Sequence, residues 1–182
     1  MKFEDALKLL EQEIQNEKLI KHCLAVAKIM EKLAERLGED KEKWKITGLL
    51  HDIDYEKTKE NMEKHGLLAR EILEGKVEED IIKAIERHNE FTGNLPKERI
   101  DFALIASDQV SGLIIASALI LPSKKLKDLK LDTLKKKFKQ KDFARNVKRE
   151  KILYCEKLGI NLEDFLELSL EALKNIDKEL GL

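Results

Sequence analysis

From Phe3 to Leu180 apolar residues recur at helical spacing, and almost no stretch alternates at period two. That pattern calls for a helical bundle and argues against a sheet-built core. Only two prolines interrupt 182 residues, and the abundance of Glu, Lys, Leu and Ile agrees with helix. With 42% hydrophobic residues the chain can fill one core, which excludes wholesale disorder. The expected fold class is all-α, organised as one domain over residues 1–182.

Turn and capping residues divide the pattern into segments. Amphipathic helices are expected at Phe3–Ile14 and at Glu17–Leu37, the second stopped by Gly38. Asp40 caps a third that runs through Trp44 to His51-Asp52. Others follow at Asn61–Leu73, closed by Gly75, and at Glu78–Glu90. The turn-forming run Phe91–Pro96 then leads into a strongly apolar helix ending near Leu121-Pro122. The remaining helices are expected at Leu131–Phe138, Arg145–Leu158 and Asn161–Leu180. This C-terminal extension, about 122–182, can pack on the rest of the chain or form a homodimer interface, and the pattern leaves both open.

Composition narrows the function classes. Cys23 and Cys155 are too few for a disulfide scaffold. Thirty-five basic against thirty-six acidic residues predict neither a nucleic-acid polymer nor a membrane as a generic partner. The Lys/Glu load is also common in heat-adapted proteins. Met1–Asp5 lacks the apolar core of a signal peptide. Phe102–Leu121 contains Asp108 and Gln109, and Val110–Leu121 alone is too short to span a bilayer, so a buried core helix in a cytoplasmic protein is expected. Charge is uneven: Lys124–Lys151 holds thirteen basic and four acidic residues. This is either a solvated helical face or a basic wall that attracts a phosphorylated substrate.

His22, His51, His65 and His88 are the four histidines, each on or at the end of an expected helix. Asp52 follows His51 directly after Leu49-Leu50, and Asp108 lies within the most apolar segment. An ionised carboxylate in such a setting needs a cation, a hydrogen-bond network or an exposed face. A metal would answer this for both acids and for the histidines; a helix-capping Asp108 with scattered histidines is the alternative. Imidazole and carboxylate donors suit Fe, Mn, Co, Ni or Zn, with Mg also admissible, and the lack of a cysteine cluster argues against structural zinc. There is no phosphate loop, dinucleotide fingerprint or Gly-x-Ser-x-Gly elbow. Cys23 reads as a packing residue.

The ordered set His22, His51-Asp52, Asp108, with spacings of 29 and 56 residues, resembles the signature of the HD-domain superfamily of metal-dependent phosphohydrolases. The resemblance covers about 17–115 and implies a helical bundle around a metal centre. His65 and His88 occupy the places of two further histidines in the two-metal, HDIG-like branch. By that resemblance His22, His51 and Asp108 would hold one divalent ion, His65 and His88 a second, and Asp52 would bridge them.

The runs His88–Gly93, Ser107–Ile114 and Leu121–Leu126 are similar to a group of small stand-alone HD proteins. Ile53-Asp54 replaces the Ile-Gly of the namesake motif, no Gly-Tyr-Pro triplet is present, and the Glu-Asp pair of the ppGpp hydrolases is missing. The activity implied is hydrolysis of a phosphate ester on a nucleotide or similar small metabolite. Asp52 would be catalytic, and Asp54 a candidate for handling the proton on the leaving oxygen. Lys124 and Lys125 would either contact phosphate or be solvated loop lysines. The same donors serve HD-fold mixed-valence di-iron oxygenases and non-catalytic nucleotide-binding modules.

Overall fold

The computed structural model describes residues Met1–Leu182 and is all-α, without strands. Its first helices are α1 (Phe3–Glu13), α2 (Glu17–Leu37), α3 (Lys41–Leu50), the single turn α4 (Tyr55–Thr58), α5 (Leu67–Leu73) and α6 (Glu79–His88). The long α7 (Arg99–Leu119) follows, then α8 (Leu131–Lys139), α9 (Arg149–Ile152), α10 (Leu162–Lys174) and α11 (Asp177–Leu180).

The 21-residue α2 organises the packing. The Asn16 side chain accepts from the Lys18 and Leu19 amides and so caps it. One part of its surface, with Val26, Ile29, Met30 and Leu33, joins α7 and the C-terminal helices in the larger apolar cluster. Another, with Cys23 and Ala27, joins α1, α3, α5 and α6 in a smaller one. Helix α3 lies so close to α2 that a Cβ at Gly48 would sit 2.8 Å from the Ala27 Cα. Only glycine permits that approach, and it brings the end of α3 beside His22. Helix α7 is apolar and long enough to cross a membrane by length and composition, but 61% of its most apolar window is buried within the protein. Its apolarity is that of a core helix.

Three segments depart from the helices expected. Within Asn61–Leu73 only Leu67–Leu73 is α-helical. Gly66 has φ +89°, and the Asn89 side chain donates to the Met62 and His65 carbonyls of the turn that precedes α5. Within Arg145–Leu158 the α-helix is only α9, followed by a 3₁₀ stretch at Leu153–Leu158. The preceding turns are held by the Arg149 guanidinium, which donates to the carbonyls of Phe138, Phe143, Ala144 and Val147 among others. Asn161–Leu180 is broken at Asn175-Ile176 into α10 and α11. The C-terminal helices pack on α2 and α7 within the same chain.

Candidate metal centre

Three helices and two turns bring the histidines and two aspartates together. His22 projects from α2 and Asp108 from the middle of α7. His51 and Asp52 occupy the turn at the end of α3, His65 the turn before α5, and His88 is the last residue of α6. His51 Nδ1 donates to the Gly48 carbonyl (2.8 Å) and His88 Nδ1 to the Ile85 carbonyl (2.5 Å). His65 Nδ1 donates to Asp54 Oδ1 (2.8 Å). The Ser111 hydroxyl donates to the Asp108 carbonyl at 2.8 Å, which leaves its oxygen free to accept from His22 Nδ1 at 3.3 Å. Carbonyl and carboxylate oxygens only accept, so each Nδ1 carries a proton and each Nε2 is the atom left to take a second proton or a metal ion.

All four Nε2 atoms point into one space. His22 and His51 Nε2 are 3.3 Å apart, and His65 and His88 Nε2 are 3.1 Å apart. Asp52 divides its oxygens between the pairs. Oδ2 lies 3.6 Å from His22 Nε2 and 3.4 Å from His51 Nε2, while Oδ1 lies 3.2 Å from His65 Nε2 and 3.6 Å from His88 Nε2. Asp108 Oδ1 joins the first pair at 3.1 Å from His22. Acceptors facing acceptors at these distances repel unless a cation or shared protons lie between them. The donor set therefore fits metal: His22, His51 and Asp108 form one group able to hold an ion, and Asp52, His65 and His88 another.

The electrostatics agree. Burial pulls the His51 imidazole down, yet the Asp52 carboxylate outweighs it and raises the group above its usual range. His65 is likewise opposed by burial but lifted to about 9 by hydrogen bonds to Asp52 and Asp54. Burial opposes ionisation of Asp52, but His51, His65 and His88 hold it well below the carboxylate range. Burial opposes ionisation of Asp108 too, and His22 and His51 hold it down. Protons or metal ions can satisfy this cluster, and they compete for the same Nε2 lone pairs. Cys23 lies beside His51 and Asp52, but burial, with the charges of Asp52 and Asp108, pushes its thiol up and keeps it a neutral packing group.

Two of the expected site features lie outside the cluster itself. Asp54 is wholly buried; its Oδ1 accepts from His65, and its Oδ2 accepts from the Gly66 (2.8 Å) and Ala69 (3.0 Å) amides. A carboxylate so committed cannot hand a proton to a leaving oxygen: it positions His65 and starts α5. Lys124 and Lys125 are exposed in the turn beyond α7. The helix carries Leu119 about 16 Å along its axis from Asp108, and neither lysine lines the cleft at His22.

Residues that sequence reasoning left without a role also support the site. Gln109 donates to Asp108 Oδ2 (2.9 Å) and accepts from the Lys148 amide (2.8 Å), tying the 145–148 turn to the cluster. Ser111 orients His22, and Asn89 fixes the turn that carries His65. Their signal in the sequence is that they fall within the runs His88–Gly93 and Ser107–Ile114, which are similar to small stand-alone HD proteins.

A family model described as HD domain matches residues 19–117, more than half of the chain and a span containing all six clustered residues. Ribonuclease Y of Lawsonia intracellularis (strain PHE/MN1-00) is 35% identical over 95 residues, which is 52% of this chain. The match covers only 18% of that relative's length. With its bundle, its ordered histidines and aspartates and the HD-domain match over residues 19–117, the chain belongs to the HD-domain superfamily of metal-dependent phosphohydrolases.

Proposed function

We propose that the chain hydrolyses phosphate esters of a nucleotide or another small phosphorylated metabolite, using two divalent cations that share Asp52. The observation that carries this reading is the division of the Asp52 oxygens between two pairs of imidazole Nε2 atoms. Divalent Fe, Mn, Co, Ni or Zn held there would polarise a phosphoryl oxygen and lower the pKa of water.

The chain's own residues supply the remainder. His22, His51 and Asp108 would hold one ion, and His65 and His88 the other. Hydrogen bonds to Ser111, Gly48, Asp54 and Ile85 keep each Nδ1 protonated and each Nε2 turned inward, so little reorganisation accompanies ion binding. Four neutral imidazoles and the carboxylates of Asp52 and Asp108 only half neutralise two dications. The excess positive charge suits a phosphate dianion. Burial of His51, His65 and His88 limits water to the side of His22 and Asp108.

The test is metal content per chain, followed by phosphate release from monoesters, diesters, nucleotides and a short oligoribonucleotide with Mn²⁺ under nitrogen. The oligoribonucleotide is included because of the similarity to Ribonuclease Y. About two equivalents of metal and O₂-independent hydrolysis are expected. Turnover that requires iron and consumes O₂ would replace this reading with an oxygenase. Tight nucleotide binding without turnover across several metals would replace it with a binding module.

A further inference from the structure

The cluster is open on one side. The His22 and Asp108 side chains are 24% and 23% exposed, whereas His51, His65 and His88 are at 0%, 4% and 6%. A cleft of about 540 Å³ opens there, lined by Lys18, His22, Tyr55, Glu56 and Lys59 among others. Its size is that of a small-ligand site. Lys18 is four residues before His22 on α2, so the two side chains are neighbours on one helical face. Tyr55 meets the His65 ring edge-on with centroids 5.3 Å apart. The cleft is thus lined by His22 of one half and by Tyr55, which packs on His65 of the other.

Its charges set it apart. Glu56 is committed to the connector between α1 and α2, accepting from the Asn16 (2.8 Å) and Gln15 (3.2 Å) amides. Lys18 and Lys59 are exposed and pair with no carboxylate. A second cleft, of about 470 Å³, is also rich in cations but shares no residue with the first. There Lys43 pairs with Asp80, Lys83 with Glu79, Arg87 with Asp101 and Arg99 with Glu39. Cations already paired add little attraction for an anion; unpaired ones beside a cation-holding cluster add much.

We propose that the cleft at His22 is the substrate subsite, where Lys18 and Lys59 hold a phosphoryl group other than the one hydrolysed. They would select small substrates that carry two or more phosphoryl groups one linkage apart. Four residues, about 6 Å along the helix axis, separate Lys18 from His22. A flexible ammonium can therefore meet the second phosphate while the first lies at the cluster. The inference rests on the phosphohydrolase reading and sharpens it.

The test is calorimetric titration of the Mn²⁺-loaded full chain with inorganic phosphate and with inorganic pyrophosphate, alongside measurement of Mn²⁺ per chain. Pyrophosphate is expected to bind about tenfold or more tighter than phosphate, the size of one charge-assisted hydrogen bond. Lys18→Ala and Lys59→Ala each remove about that factor from pyrophosphate alone, with phosphate affinity and Mn²⁺ content unchanged; Lys18→Arg restores most of it. A Lys124→Ala/Lys125→Ala double variant behaves as wild type. Undiminished pyrophosphate binding in both lysine variants, or equal losses for both anions, overturns the subsite. A chain that takes up no Mn²⁺ instead overturns the phosphohydrolase reading. The same titration of that chain still decides the subsite, because pyrophosphate binding must then depend on Lys18 and Lys59 or the assignment falls.

Discussion

His65 and His88 are nearly buried and held at Nδ1 by Asp54 and the Ile85 carbonyl, at 2.8 and 2.5 Å. His22 and Asp108 stand at the open side and are supported differently. Ser111 reaches His22 at 3.3 Å, and Gln109 joins Asp108 to a turn of the C-terminal region. The closed half is prepared before anything binds. The open half is where solvent and ligand arrive, and its position depends on the packing of residues 145–148 over α7. Asp52 belongs to both halves, which makes the difference between them measurable.

The largest effect is expected at the shared residue. Asp52→Ala should empty both halves of metal, exceeding the 10–100-fold loss typical of a supporting residue, while far-ultraviolet circular dichroism stays helical. Retention of one tightly held equivalent would show that the carboxylate is not shared. Asp54→Asn comes next. An amide retains one acceptor oxygen where the carboxylate accepts three hydrogen bonds through two. The closed half should lose about 10–100-fold in metal affinity while the open half keeps its equivalent. Equal weakening of both halves would break the comparison.

These expectations depend unevenly on what the sequence makes legible. His22, His51, Asp52, His65, His88 and Asp108 can be singled out by residue type, because few side chains suit a metal and the helical pattern limits where they sit. The role of Asp54 was not legible: its partners are amides 12 and 15 residues away, presented by a turn that exists because Gly66 adopts a positive φ. The apolar spacing of Asn61–Leu73 imitates a continuous helix, but tertiary hydrogen bonds to the Asp54 carboxylate and from the Asn89 amide decide otherwise. Lys124 and Lys125 follow the helix that bears Asp108, yet neither lines the cleft at His22. Lys18 and Lys59 are two of many lysines in the sequence; only the fold shows which ammoniums are paired.

A smaller change should appear on the open side. Ser111→Ala removes one neutral hydrogen bond from His22, worth about 1 kcal/mol, or roughly fivefold in affinity for the ion at that half. Zinc or manganese titration followed by competition with a chelator of known affinity would register it. A loss confined to the His65 and His88 half would reverse the assignment of supports.

The least disruptive test changes only pH, in protein stripped of metal. His65 is raised to about 9 in the folded chain, and His51 is raised as well, so the folded state binds protons more tightly than the unfolded chain. Their contribution to stability is then complete below the unfolded imidazole value of about 6.5. It is lost as pH rises toward 9. The melting temperature of the stripped protein should therefore fall across that window. Loading with Mn²⁺ should cancel or reverse the fall, because protons and metal compete for the same Nε2 lone pairs. The Asp54→Asn variant should show a shallower fall than wild type, since it loses one of the two carboxylates that lift His65. An unchanged slope in that variant would mean that the closed half does not owe its proton affinity to Asp54.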